Sequence, residues 1–362
     1  MRLVFFIILS FVCHAVHARQ EFAFTHFSTV DGSGLASNMV VSLYQDEKGF
    51  IWVGTANGLQ RFDGSKFIDV NSSKKGTDEL PHATISQIIP ADSGKLILAI
   101  RTLGEFGIFD PSDFSYRKIA ITSSASLPSR AEFRIWKTAD QEIYVTVLHY
   151  GILKYDKKKN AFIETGEFHI PPNWHVYLTA EFEDVEKKQL WFGCDSGLCV
   201  YDRKSKQTWY RGNNPNKIAV LENKLLRDNI TQVYIDAKRR MWVFGWPEWN
   251  VYKQFHFCFD TAGNFLSKDT AGLNTGITGF AAYDHFYETK DKDLWIYGAG
   301  VLLNFDNSSK RFQLNKTRAG IESIGINYEV VFDVIQEGMA VCGWLQTMEF
   351  IIQHLEAAVM LL

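Results

Sequence analysis

Aromatic, imidazole and guanidinium side chains are the residues of this sequence with the clearest potential for binding chemistry, because they interrupt an otherwise regular pattern. They are Arg101, His149, Tyr150, Trp174, His175, Trp246 and Trp249. Aromatic faces next to charged and polar groups suit stacking on sugar rings and hydrogen bonding to sugar hydroxyl groups. These residues therefore predict an oligosaccharide-binding surface. The competing interpretation is that the aromatic side chains only pack their own loops.

Recognisable catalytic, metal-binding and cofactor-binding motifs are absent from the sequence. It contains no HExxH zinc motif, no nucleophile elbow, no P-loop and no dinucleotide fingerprint after a strand. His149 alone is a weak candidate for a general base. We therefore expect no catalytic residue, no metal and no cofactor, and an enzymatic function would depend on analogy of fold alone.

The composition is that of a folded chain without a polyanion-binding surface. The 362 residues include 38 Lys and Arg against 41 Asp and Glu, so the formal net charge is -3. A small negative charge creates no field that attracts nucleic acid, and we expect no nucleic-acid contact. Apolar residues make up 46% of the chain, which is enough to form a large core and unlike a disordered sequence.

Residues 1–18 have the pattern of a signal peptide. Arg2 precedes an apolar run from Leu3 to Val12 that only Ser10 breaks, and Val16 and Ala18 then fit the small-residue pattern of a cleavage site. That run is too short to cross a bilayer, which takes about 20 residues, but it fits the apolar region of a secretory signal. We expect cleavage before Arg19 and export of the mature chain. No later segment has the length and apolarity of a membrane span.

A repeat governs the rest of the chain. Each unit has an alternating strand, a turn with Asp and Gly, a second strand with a large apolar residue, a Gly turn, a third strand and one more aromatic strand. The key positions of the second strand are Trp52, Ile97, Tyr144, Trp191, Trp242 and Trp295, spaced 45 to 53 residues apart. Four short strands at this spacing predict an all-β protein built as a β-propeller. Because a lone blade leaves both faces apolar, the aromatic residues at these positions are expected to be structural and to pack blade against blade.

Two cysteines, Cys194 and Cys199, flank a turn at Gly197. In an oxidising compartment they could form a cross-strand disulfide, and otherwise they are two small buried thiols. The sequence leaves both readings open.

One stretch of the repeat resembles a known family. The matching segments are Gly34-Leu35-Ala36-Ser37-Asn38, Gln45-Asp46, Gly49-Phe50-Ile51-Trp52-Val53-Gly54-Thr55, Gly58-Leu59 and Phe62-Asp63-Gly64. Together they are similar to the two-component regulator propeller repeat. The resemblance extends over about residues 22 to 336 and is strongest in the first, fourth and sixth units.

This resemblance implies a seven-bladed propeller of four-stranded blades that serves as the periplasmic sensor of a hybrid two-component system. In the family, the propeller precedes a membrane span, a histidine kinase, a receiver and usually a DNA-binding domain, and many members regulate glycan uptake and degradation. The implied ligand is a glycan or oligosaccharide. The full-length family implies an inner-membrane anchor and a homodimer. This chain has no kinase module, so we expect no enzymatic activity of its own.

The sequence predicts one propeller domain over residues 19–336, with six blades and the start of a seventh. After Gln336 the repeat is abandoned, and residues 337–362 are interpreted as an aberrant tail. Codons that restore the repeat are permitted if the reading frame is shifted after Gln336. We therefore hypothesise a frameshifted, truncated product with an incomplete last blade, the alternative being a genuine short tail that forms a helix. Phe22, Phe24 and Phe27 alternate as expected of an N-terminal strand that closes the ring.

Two other functional classes stay open from the sequence. Asp46, Gly49 and Trp52 weakly echo the Asp-box turn of sialidases, which would favour a sialidase-like or polysaccharide-lyase-like propeller enzyme. Asp46 also has a simpler role, since its side chain can close the turn between two strands. The third class is a propeller scaffold that binds other proteins.

Overall fold

In the residues that the structure describes, the regular elements are β-strands and four short 3-10 turns. The computed structural model describes residues 23–70, 78–124, 127, 131–247, 254–260, 262–267, 282–289, 292–299, 301–306, 311–314, 328–336, 339–345 and 350–354. Within these ranges there is no α-helix, which confirms the all-β prediction. No helix among them could span a membrane. The predicted signal peptide lies outside the described residues.

The strands follow one another in antiparallel blades of four; the second blade is joined to the third, and the sixth to the closing blade, into two eight-stranded sheets. The first blade has β2 (Val40–Gln45), β3 (Ile51–Thr55), β4 (Gly58–Phe62) and β5 (Phe67–Asp69). The second has β6 (Gln87–Pro90), β7 (Leu96–Ile100), β8 (Glu105–Asp110) and β9 (Ser115–Thr122). The third has β10 (Phe133–Lys137), β11 (Ile143–Val147), β12 (Gly151–Asp156) and β13 (Ala161–Glu164).

The later blades keep the same order. The fourth has β14 (Val176–Asp184), β15 (Gln189–Cys194), β16 (Gly197–Asp202) and β17 (Gln207–Tyr210). The fifth has β18 (Asn229–Ile235), β19 (Met241–Trp246), β20 (Phe255–Phe259) and β21 (Phe265–Ser267). The sixth has β22 (Ala282–Glu288), β23 (Leu294–Ala299), β24 (Val301–Asp306) and β25 (Arg311–Leu314). The closing blade has β26 (Tyr328–Gln336), β27 (Met339–Leu345), β28 (Phe350–His354) and β1 (Ala23–Phe27).

The closing blade differs from the sequence-based expectation. The sequence predicts a last blade without its middle strands. In the structure, β27 and β28 form these strands and lie between β26 and β1. The physical reason is that Met339–Leu345 and Phe350–His354 are apolar segments with β-propensity. They can therefore pair with the open edges of β26 and β1 although they lack the repeat motif. The N-terminal strand closes the ring as predicted, because β1 pairs with β28. The frameshift itself and the blade number of seven stay predictions.

The large residues at the key positions lie between blades. Trp52 is fully buried and its ring centroid is 5.5 Å from that of Phe109 in the second blade. Trp242 likewise lies 5.3 Å from Phe305 in the sixth blade. Tyr144 packs in a cluster with residues of the fourth blade, and Trp191 in one with residues of the fifth. Trp295 is also buried. Trp52, Tyr144, Trp191 and Trp242 therefore each cover part of the neighbouring blade.

The first strands of successive blades approach each other around the axis, where side chains link them. The Ser42 hydroxyl donates to the carbonyl of Ile85 at 2.7 Å, and the Gln87 side chain bonds both the N–H and the carbonyl of Ile135. The approach also explains the glycine two residues after Trp52. A Cβ at Gly54 would lie 2.4 Å from the Ile85 carbonyl oxygen, so a larger residue would push the two blades apart.

The cysteines are free thiols. The sulfur atoms of Cys194 and Cys199 are 3.9 Å apart, and both residues are fully buried. Burial is the largest cause that raises the pKa of the Cys194 thiol well above its usual value, so this thiol stays protonated. The structure thus has the two buried thiols, one of the two readings that the sequence allows.

Asp46 ties the first turn of its blade to the aromatic residue that covers the next blade. One carboxylate oxygen accepts the N–H groups of Lys48 and Phe50, and the other accepts the indole N–H of Trp52 at 2.9 Å. Asp236 makes the same bond to Trp242 at 3.0 Å. The Asp and the Trp of the repeat are therefore one structural unit, which accounts for Asp46 without any catalytic role.

We predict that Asp46→Ala lowers the free energy of unfolding by about 3 kcal/mol, because it leaves the buried indole N–H and two turn amides without an acceptor. Glu47→Ala, on the same turn but exposed, should change it by less than about 0.5 kcal/mol. Chemical denaturation of both variants measures the difference. In a Trp52→Phe background the Asp46→Ala penalty should become smaller, and an unchanged penalty would contradict the proposed unit.

A second prediction concerns His256, which lies between Phe244 and Tyr283 with its Nε2 atom buried and without a hydrogen-bond partner. Burial lowers the pKa of this imidazole to about 3. Below about pH 6.5 this imidazole is protonated in the unfolded chain, but in the folded chain it stays neutral down to about pH 3. The free energy of unfolding therefore has its full value above about pH 6.5 and falls as the solution is acidified.

Between pH 7.5 and pH 4.5, the free energy of unfolding should fall by about 2 kcal/mol less in His256→Phe than in the wild-type protein. Comparing two pH values in each protein cancels the packing cost of the substitution. Denaturation curves at both pH values provide the measurement, and parallel losses in the two proteins would show that this histidine is not the acid-sensitive group.

Candidate ligand-binding site

Turns of the third and fourth blades meet at one edge of the ring. Strands β11 and β13 run in the same direction within their sheet, so the β11–β12 turn and the end of β13 lie at the same edge. His149 is in that turn and His175 immediately precedes β14. Their ring centroids are 5.3 Å apart, with the rings nearly perpendicular. Two residues that are 26 positions apart in the sequence are thus brought into contact.

His175 is oriented by a carboxylate of the next turn. Its Nδ1 atom is 2.7 Å from Oδ2 of Asp195, which follows β15. Because a carboxylate only accepts, Nδ1 carries the hydrogen, and in the neutral imidazole Nε2 keeps its lone pair. The His175 side chain is 41% exposed, so this acceptor is accessible. Asp195 did not emerge from the sequence because an Asp in a strand-to-strand turn is ordinary.

Glu164, at the end of β13, is the second carboxylate of the site. Its Oε1 atom accepts the Tyr150 hydroxyl, the Ser124 hydroxyl at 2.7 Å and the Ser124 N–H at 3.0 Å. The hydrogen bond from Tyr150, followed by those from Ser124, lowers the pKa of Glu164 below its usual value, so it is ionised at neutral pH.

A pairing between blades brings Ser124 to Glu164. The outer strand β13 of the third blade pairs in parallel with the outer strand β9 of the second, with Ala161 opposite Ala120 and Ile163 opposite Thr122. Strand β9 ends two residues before Ser124, and β13 ends at Glu164. This long-range contact has no local sequence signal, which is why neither residue could be predicted.

Ser124, Glu164 and His175 line a cleft with a volume of about 560 Å³, whereas His149 and Asp195 lie behind its wall in contact with His175. Its walls are formed by Ser124, Tyr150, Gly151, Ile152, Glu164, Thr165, Gly166, Phe168, Ile170, Pro171, Pro172, Trp174, His175 and Val176. A cleft of this size, with an apolar wall and a few polar groups, fits a ligand of several sugar units or a drug-sized molecule.

Trp174 combines the two roles that the sequence left open. It lines the cleft, but its ring centroid also lies 5.6 Å from that of Tyr210, and the Arg211 guanidinium is 5.8 Å from the ring. The side chain is half-buried by these contacts. Trp174 therefore supports its own loop and still presents part of its surface to the cleft.

The remaining predicted site residues do not join this cluster. Arg101 lies in the exposed 3-10 turn Arg101–Leu103 of the second blade, and Trp246 ends β19 in the fifth. Neither residue lines the cleft. Trp249 lies outside the described residues. The predicted set is thus divided by the fold: His149, Tyr150, Trp174 and His175 come together, and Arg101 and Trp246 are elsewhere.

Further titratable groups lie on the first strands, near the axis. The Arg134 Nε atom is 3.2 Å from Oε1 of Glu181, and burial raises the pKa of Glu181 to about 8. Burial, together with the nearby charge of Arg134, lowers the pKa of His285 well below its usual value. In the part of the chain that the structure describes, no group of three metal-ligating residues is found.

Comparison with known proteins identifies the repeat. The family model described as "Two component regulator propeller" matches residues 34–57. Histidine kinase P4 of Formosa agariphila is 39% identical over 62 residues, which cover 17% of this chain and 4% of that protein. The resemblance seen in the sequence is thereby confirmed.

Solved structures match most of the chain. The extracellular domain of a hybrid two-component system from B. thetaiotaomicron has a TM-score of 0.63 at 16% identity, over 91% of this chain and 42% of that one. Virginiamycin B lyase from Staphylococcus aureus has a TM-score of 0.54 at 12% identity, over 92% of this chain and 100% of that one. At such identities these likenesses show the propeller fold alone. The chain spans less than half of the two-component structure.

Proposed function

We propose that this two-component regulator propeller is the ligand-sensing domain of a hybrid two-component system, that its ligand is an oligosaccharide, and that it binds in the cleft between the third and fourth blades. The observation that supports this most is the convergence of Tyr150, Glu164, Trp174 and the His175–Asp195 pair at one edge of the ring. An aromatic surface with ordered hydrogen-bonding groups is what sugar recognition requires.

The position of the cleft suits a sensor. Its polar groups come from the end of the second blade, from the third blade and from the start of the fourth. A ligand that contacts all of them favours one relative arrangement of these blades, and it can shift an equilibrium only by such differential binding. The cleft therefore offers a way for occupancy to be transmitted through the ring.

We further propose that the domain acts in the periplasm after removal of residues 1–18, with the kinase modules elsewhere in a longer protein. The homodimer implied by the family is part of the same proposal. This placement is supported by the signal-peptide pattern and by the fold shared with an extracellular domain of a two-component system.

A second candidate function is favoured by one observation. An imidazole whose Nδ1 is held by a carboxylate, and whose Nε2 is accessible, is also the arrangement of a general base. A carbohydrate-active enzyme would use His175 to remove a proton from a bound sugar. Binding without turnover distinguishes the sensor from this alternative.

We predict that Tyr150→Phe and His175→Ala each weaken oligosaccharide binding by about tenfold, since each removes a hydrogen-bonding group from the cleft wall. Binding is measured by isothermal titration with oligosaccharides found on a glycan array, and thermal unfolding midpoints confirm that the variants are folded. The matched control is His82→Ala, because His82 is an exposed histidine that does not line the cleft.

Equal affinities for the wild-type protein and both cleft variants would contradict the site. Release of new reducing ends or of unsaturated sugars by the wild-type protein, abolished in His175→Ala, would favour the enzyme. Absence of any array signal would contradict the oligosaccharide ligand itself.

A further inference from the structure

We propose that the cleft between the third and fourth blades selects an uncharged, hydroxyl-rich saccharide and rejects saccharides that carry carboxylate or sulfate groups. This inference rests on the proposed function and adds the chemical class of the ligand. It follows from the charges and the hydrogen-bonding capacity of the side chains that line the cleft.

The described residues that line the cleft include no lysine or arginine. Among them, Glu164 and His175 are the groups that carry a charge near neutral pH. Glu164 is held ionised by its hydrogen bonds, and the imidazole of His175 is paired with the Asp195 carboxylate. An anionic ligand would therefore approach a fixed negative charge, and no lysine or arginine among these described residues would receive it.

Two side-chain acceptors of the cleft are directed away from its internal hydrogen bonds. Three donors from Tyr150 and Ser124 converge on Oε1 of Glu164, and the Oε2 atom of the same carboxylate is not used by them. In its neutral form, His175 presents the lone pair of Nε2, because its Nδ1 hydrogen is directed to Asp195. Acceptors need donors, and sugar hydroxyl groups supply them, whereas an ionised carboxylate or sulfate supplies none.

Two described cationic side chains of the third and fourth blades are occupied or outside the lining. Lys154 lies 2.9 Å from Glu142 and 3.7 Å from Glu167. Arg211 lies next to the ring of Trp174 and is not part of the cleft wall. Neither side chain compensates the charge of Glu164 within the cleft.

The test uses an array of neutral, uronate-containing and sulfated oligosaccharides of matched length, probed with the wild-type protein and with Glu164→Gln. Glutamine keeps an acceptor for Tyr150 and Ser124 but removes the charge. The control variant is Glu186→Gln, which removes the same charge at the opposite end of the fourth blade, where the Glu186 side chain is 75% exposed.

We expect the wild-type protein and Glu186→Gln to bind neutral oligosaccharides and, at low ionic strength, to bind acidic ones about fivefold more weakly, the effect in water of one unit charge about 4 Å away. Because the Glu164 side chain is exposed, this discrimination should shrink as salt is added. In Glu164→Gln it should fall below about twofold at low ionic strength as well. Preferential binding of uronates or sulfated sugars by the wild-type protein would overturn the inference while leaving an oligosaccharide sensor intact. Discrimination that survives in Glu164→Gln would also overturn it, and absence of binding to every class would contradict the proposed function.

Discussion

Coverage of apolar blade faces is the constraint on which the rest of this structure depends. A four-stranded sheet with apolar residues on both faces is stable only when both are covered, and burial yields about 25 cal/mol for each Å² of apolar surface. Trp52, Tyr144, Trp191 and Trp242 provide this coverage toward the following blade. The Asp46 turn and the close approach at Gly54 serve the same end, since one fixes the aromatic ring and the other lets neighbouring first strands meet.

The same constraint creates the site. Once the blade faces are buried, the turns at the strand ends are the parts of the repeat that are free to vary. Between the third and fourth blades these turns carry His149 and Asp195, and the connection between the blades carries Trp174 and His175. The parallel pairing of β9 with β13 adds Ser124 from the second blade. The candidate site is thus built from loops, while the repeat forms the framework.

Sequence reasoning predicted what repetition determines. The second-strand positions, the all-β fold and the closing role of the N-terminal strand follow from periodicity and from the need to bury surface. It missed Ser124 and Glu164, because their contact depends on a pairing between outer strands that has no local signature. It grouped Trp246 and Arg101 with the cleft, because departures from a repeat show which loops vary but not which of them are neighbours. It also left the last blade incomplete, since β27 and β28 pair through general β-propensity and not through the motif.

The central claim is that the ligand binds at the edge of the ring between the third and fourth blades. The most direct test is amide hydrogen exchange, measured with and without a saturating concentration of an oligosaccharide selected on the array. We expect exchange to slow in three segments, residues 148–151, 164–176 and 195–197, because these contain the cleft groups and the turns that hold them. Turns at the other ends of the strands, such as residues 46–50 and 236–240, should exchange as in the free protein. Protection confined to those opposite turns, or no protection of the three segments at saturation, would contradict the account.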